Sequence, residues 1–381
     1  MADKSSFGKI QSQILWNRLL AVVEEQAQVL VRTAFSTTVR EAGDLSAGVF
    51  DTRGRMLAQA VTGTPGHVNA MAASVGFFLE KFPVATLQPG DVLLTNDPWY
   101  GTGHLNDFTV VTPVFLGDHA VALFASTSHI ADVGGLGFGP DGRQVYEEGL
   151  NIPMGYLFRA GELNQTLLDI IRANVRDPRS AEGDLHSLAA CNAAGAASLV
   201  ETMHEFDMKK LDTPGRMIIG NSRDAMLEEI QKLPHGTWKN AMRIDGYDEP
   251  VDLVCAVTIG DSGIDVDFSG TSPVCGHGIN VPLTYTQAYA SFGVRCVIGN
   301  DVPNNAGSLE VVRVTAPEGC ILNAPRPAAV SARHTIGQML PDVVLGCLEE
   351  PLDGRVPAEG ASCLFGPVFL GGRGLIPGSQ S

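Results

Sequence analysis

The chain has 381 residues, 44% hydrophobic and 18% charged, a composition that builds more than one folded core rather than a disordered tract. Its formal net charge of −16 argues against a nucleic-acid partner, because a phosphate backbone is bound by clustered Lys and Arg. Seven scattered cysteines without a C-x-x-C pair suggest neither a disulfide framework nor a cysteine zinc site and fit a reducing cytoplasm, and no apolar run reaches the ~20 residues that span a bilayer.

Residues 1–10 lack the apolar centre of a signal peptide. From 10 to 35, Ile14, Leu15, Leu19, Val22, Val23 and Leu30 recur at helical spacing with Arg18, Glu24, Glu25 and Arg32 between them, which predicts a long amphipathic helix. Short strands are expected over 45–50 and 55–59, and Asn69 is placed to cap a helix running to Lys81. After a turn at Gln88-Pro89-Gly90-Asp91, a buried strand begins at Val92. Residues 108–115 and 120–126 are β-rich and form a predicted hairpin around Leu116-Gly117-Asp118-His119. Helical patterns follow over 163–175 and 185–206.

Beyond Trp238 the period changes to two: Leu253, Cys255, Val257 and Ile259 alternate with their neighbours, as do Ile264, Val266 and Phe268, predicting a second hairpin that turns at 260–263. Residues 284–297 and 335–349 read as helices, and the tail over 365–381 is rich in glycine. A boundary near Pro234-His235-Gly236 divides the chain into an N-terminal α+β region, 1–235, and a second α+β region, 236–381. Strands and helices come in runs, so a mixed α+β fold with antiparallel hairpins and long helices is expected rather than a doubly wound parallel sheet.

The first hairpin is flanked by Gly103-His104-Leu105-Asn106-Asp107 and by Ser128-His129-Ile130-Ala131-Asp132. A two-residue turn sets Asp107 opposite Ser128; a three-residue turn sets it opposite Thr127 and diagonal to His129. Either register gathers His104, Asp107 and His129 into a ligand set for Zn, Mn or Fe(II), unless His104 merely caps a loop and His129 sits neutral in a strand. Asp132 is a candidate extra ligand or an acceptor for an imidazole N–H. His67 is a candidate pocket residue or a structural hydrogen-bonding group, and His334, beside Arg333 at a helix start, is a candidate anion-binding or catalytic residue or else a plain polar residue at a helix start. Asp107, at a strand end, is expected to be replaceable without loss of the fold. The run Gly135-Leu136-Gly137-Phe138-Gly139 lacks the spacing of a nucleotide loop and is read as tight turns beside a pocket.

Several stretches together resemble the hydantoinase B and 5-oxoprolinase family: Arg40-Glu41-Ala42-Gly43-Asp44-Leu45-Ser46, Asn96-Asp97-Pro98, Gly103-His104-Leu105-Asn106-Asp107, His129-Ile130-Ala131-Asp132-Val133-Gly134-Gly135, Glu148-Gly149-Leu150, Asn174-Val175-Arg176 and Gly278-Ile279-Asn280-Val281-Pro282. Each is short, but their order and spread are specific. The resemblance implies a B-type subunit that joins a separate A-type ATPase subunit in a cytoplasmic hetero-oligomer. It implies a divalent metal on His104, Asp107 and His129, beside which His67, Asp132 and His334, picked out by their own positions, are the catalytic candidates. The implied activity is ATP-dependent hydrolysis of a small cyclic amide, with ATP used by the partner and a metal-activated water supplied by this chain. The alternatives are a subunit of an ATP-dependent ketone carboxylase and a non-catalytic scaffold subunit. Family chains continue beyond the point where this one stops, so the second region is expected to be truncated.

Overall fold

The computed structural model describes residues 3–61 and 64–358, with side chains from residue 13 onward. The first part of the chain runs through α1 (Asp3–Thr33), α2 (Thr37–Arg40), β1 (Leu45–Phe50), β2 (Met56–Gln59), α3 (Pro65–Lys81), β3 (Val92–Thr95), β4 (Asp107–Leu116) and β5 (His119–His129). There follow α4 (Val145–Glu148), β6 (Gly155–Arg159), β7 (Glu162–Leu163), α5 (Gln165–Asn174), α6 (Pro178–Glu205) and α7 (Asp212–Ile230). Its strands form one antiparallel sheet in the order β2-β1-β5-β4-β3-β6-β7.

Both faces of that sheet are apolar because side chains alternate along each strand. Val110, Ala122 and Phe124 face Leu19, Val23 and Leu30 of α1 and Leu185, Leu188 and Leu199 of α6. The intervening Val111, Leu123 and Ala125 face Met71, Val75 and Phe78 of α3. The central strands are therefore buried along nearly their whole length, sandwiched between two layers of helix.

The remainder comprises β8 (Gly236–Ile244), β9 (Val251–Gly260), β10 (Gly263–Asp267), α8 (Leu283–Val297), α9 (Ala306–Leu309), β11 (Val312–Thr315), α10 (His334–Gly337) and α11 (Leu340–Leu348). A second sheet has the order β11-β10-β9-β8, antiparallel except for the β10–β11 pair. Leu253, Cys255, Val257 and Ile259 turn inward onto Val294 of α8 and Val343, Val344 and Leu348 of α11. The fold is mixed α+β. The glycine-rich tail lies outside the described residues.

Two local expectations change. The predicted helix over 335–349 is split into α10 and α11, because Pro341 in the first turn of α11 has no N–H to continue the ladder. Asn69 does not cap α3: Pro65 starts that helix four residues earlier, and the Asn69 amide donates to Ala288 O at 3.3 Å. The N-terminus of α3 packs tightly on α8, since a Cβ at Gly66 would fall 2.2 Å from Tyr289 Cε2. That close approach brings His67 up to the second half of the chain.

Candidate metal centre

The β4–β5 turn is the two-residue one, at Gly117-Asp118, with Gly117 at φ 61°. Leu116 pairs with His119 and Phe115 with Ala120, but Val114 pairs with Ala122. The extra residue, Val121, is a β-bulge that advances the register by one. Asp107 consequently lies directly opposite His129, where either bulge-free register would have set it against Ser128 or Thr127. One step of register puts both side chains on the same face.

The two oxygens of Asp107 have different surroundings. Oδ1 lies 2.7 Å from His104 Nε2 and 3.1 Å from His129 Nδ1. Oδ2 accepts from His67 Nε2 at 2.8 Å, from Arg333 Nη2 at 2.7 Å and from the Thr102 hydroxyl. Burial opposes the carboxylate charge, but the His67 and Arg333 charges beside it override that and hold Asp107 well below the usual carboxylate range. The aspartate thus has one oxygen secured by the protein and the other turned toward two imidazoles.

His104 decides what can lie between them. Its Nδ1 is 3.1 Å from the Ser331 carbonyl, which can only accept, so Nδ1 carries the proton and Nε2 presents a lone pair to Asp107 Oδ1. Two acceptors at 2.7 Å need a cation or a proton between them. Burial, followed by the Arg333 charge, pushes the His104 pKa down to about 3, which disfavours the proton. His104 Nε2, His67 Nδ1 and His334 Nδ1 are buried without hydrogen-bond partners among the described residues. One donor atom from each of His104, Asp107 and His129 lies within 4.8 Å of the others. The His104 lone pair, the His129 imidazole and the Asp107 carboxylate fit a divalent cation.

Of the other candidates, His67 belongs to this cluster: besides bonding Asp107 it lies 3.4 Å from Asp44. Burial lowers its basicity, but Asp107 and Asp44 outweigh that and its pKa is raised. His334 opens α10 and stacks on Phe138, ring centroids 5.1 Å apart at 11°. Burial, then Arg333, lowers its pKa to about 4. Asp132 is not brought into the cluster. It accepts from the backbone N–H groups of Gly134, Arg176 and Asp177 and pairs with the Arg176 guanidinium, anchoring the glycine-rich loop.

Three contributors escaped the sequence reading. In the sequence Arg333 is distinguished only as a charged neighbour of His334, yet it reaches the centre because Gly103, at φ 93°, has no Cβ; one built there would fall 2.7 Å from Arg333 Cδ. Asp44 lies in the Glu41-Ala42-Gly43-Asp44 stretch and faces His67, with Thr64 donating to it at 3.0 Å. Phe138, in the glycine run, sets its ring against His104 and His129 with centroids 5.7 and 5.5 Å away. Only its place beside glycines could have hinted at a cover.

Residues 8–374 match the family described as Hydantoinase B/oxoprolinase. The chain belongs to this family. It is 28% identical over 377 residues to the B-type subunit of a putative D-/L-hydantoinase from a Pseudomonas species, covering 93% of this chain and 64% of that one. Its fold is shared with the ATP-dependent caprolactamase of Pseudomonas jessenii, at a TM-score of 0.84 and 23% identity over 91% of this chain and 61% of the other. It is shared likewise with an acetone carboxylase, at a TM-score of 0.83 and 19% identity over 91% of this chain and 48% of the other. This hydantoinase B/oxoprolinase chain thus spans about half to two thirds of the length of these relatives. No helix among the described residues is long and apolar enough to cross a membrane.

Proposed function

We propose that this chain is the metal-holding, B-type component of an ATP-dependent cyclic-amide hydrolase, working with an A-type subunit that uses ATP. The 2.7 Å approach of the His104 Nε2 lone pair to Asp107 Oδ1 carries the reading, because only a cation reconciles it with a neutral imidazole. His104, Asp107 and His129 would hold Zn, Mn or Fe(II). Such a cation lowers the pKa of a coordinated water and draws off charge developing on an amide oxygen.

The protein's own groups frame that chemistry. Arg333, Thr102 and His67 lock Asp107 Oδ2, leaving the carboxylate one orientation. His334, neutral near pH 7 with an unpartnered Nδ1, is suited to accept a proton at that atom. Phe138 limits water at the mouth. A five-membered lactam gains little on opening, which is why ATP is needed.

The test is reconstitution with an A-type subunit and a five-membered cyclic amide such as hydantoin or 5-oxoproline. The complex should consume ATP and open the ring only when charged with a divalent metal, and the chain alone should turn over no ATP. Full activity in a metal-stripped complex would overturn the reading.

A further inference from the structure

Glu148 is a further buried carboxyl, 3% exposed, that none of this chemistry uses. It ends α4 and reaches across to the segment before α10, where Oε1 accepts from Val330 N at 2.7 Å and Ser331 N at 2.8 Å. Oε2 has no partner among the described residues. The two glycines beside it make room: a Cβ at Gly142 would lie 3.0 Å from Glu148 Cγ, and one at Gly278 3.0 Å from Oε1. A buried carboxyl is costly, so its persistence calls for a local return.

The segment it holds is the one that orients His104. Ser331, whose N–H donates to Glu148, offers its carbonyl to His104 Nδ1 at 3.1 Å. The next residue, Ala332, donates to Gly278 O at 2.7 Å, so the segment is pinned on both sides of that carbonyl. Arg333, which follows directly, clamps Asp107.

We infer that Glu148 is a positioning residue for the metal ligand His104: by fixing Ser331 it keeps the Nδ1 proton on the carbonyl and the Nε2 lone pair aimed at Asp107 Oδ1. The inference rests on the metal reading above. Partners that orient a ligating histidine in this way change metal affinity by roughly 10- to 100-fold when removed. Glu148 does this through a backbone carbonyl rather than by touching the imidazole.

The experiment is a zinc titration of the full chain against a chromophoric chelator, with nitrogen-15 histidine spectra of the zinc-loaded protein. Glu148→Ala should weaken zinc roughly tenfold or more and erase the slowly exchanging His104 Nδ1–H signal, whereas Glu148→Gln, which keeps an acceptor at Oε1, should restore both. If Glu148→Ala does not fold, Glu148→Asp decides, since a carboxylate drawn back by one methylene loses reach and should show the same loss. A folded Glu148→Ala or Glu148→Asp protein with wild-type zinc affinity and an unchanged His104 signal overturns the role of Glu148 alone. A wild-type chain that takes up no zinc, manganese or iron overturns the metal reading itself, and with it any role at the metal.

Discussion

Arg333 Nη2 lies 2.7 Å from Asp107 Oδ2, and the two side chains are 4% and 0% exposed, so a guanidinium from the second half of the chain clamps a carboxylate of the first. Its Nε donates to the Thr102 carbonyl at 2.5 Å, and its Cζ lies over the Tyr285 ring, 4.1 Å from the centroid. The candidate centre is therefore closed by residues more than two hundred positions apart.

Asp107→Ala should reduce bound metal from near one equivalent to a small residue. Contrary to the expectation for a strand-end residue, it should also destabilise the protein by about 3–5 kcal/mol, because Asp107 is buried and its loss strands the Arg333 charge. His119→Ala, at the exposed start of β5, is the control and should change neither quantity. Metal analysis and urea melts of the two variants check this. Full metal content in Asp107→Ala, or equal loss in His119→Ala, would refute the ligand set.

Arg333→Ala should cost a similar ~3–5 kcal/mol, leaving Asp107 ionised and short of a partner. Arg333→Lys should recover little, since an ammonium lacks the rigid planar fork that bonds Thr102 O from Nε and Asp107 Oδ2 from Nη2 with Cζ over Tyr285. Denaturant midpoints decide it; a lysine variant as stable as wild type would contradict the clamp.

Glu148 predicts a pH dependence. Burial raises its pKa from 4.5 to about 7 in the folded chain, so between those values the folded state holds a proton that the unfolded state has lost. Its contribution is fully present below pH 4.5 and falls as pH rises through about 7, by up to about 3 kcal/mol. Glu148→Gln cannot titrate, so its advantage over wild type should grow across that window and then level off. Parallel stability curves for the two proteins between pH 5 and about 8 would rule the shift out.

Phe138→Ala should uncover the imidazoles of His104, His129 and His334. A chelator should then strip bound metal roughly tenfold faster while equilibrium stability stays near wild type, because the apolar shell around a centre governs access to it and Phe138 is 45% exposed. Unchanged stopped-flow release rates would show that the ring is no cover.

Local pattern made much of the architecture legible. The alternation over 253–259 became β9 with every second residue buried, and the heptad-like spacing of Leu19, Val23 and Leu30 became the inner face of α1. The hairpin and its tight turn were readable because Gly117 supplies the left-handed φ that such turns require. The bulge at Val121 was not, since an inserted residue leaves hydrophobic alternation almost intact on a strand buried on both faces.

By itself, then, the sequence determined which groups could ligate a cation, through residue types whose lone pairs and spacing are local properties, and it carried the family motifs that run along nearly the whole chain. Tertiary structure alone decided their protonation and company. The tautomer of His104 depends on a carbonyl at Ser331 and its neutrality on burial beside Arg333, the orientation of Asp107 depends on Arg333, and the inclusion of His67 on the packing of α3 against the sheet that carries Asp107. Those are contacts between segments remote in sequence, and burial, which strengthens every charge interaction at the centre, exists only once the segments meet.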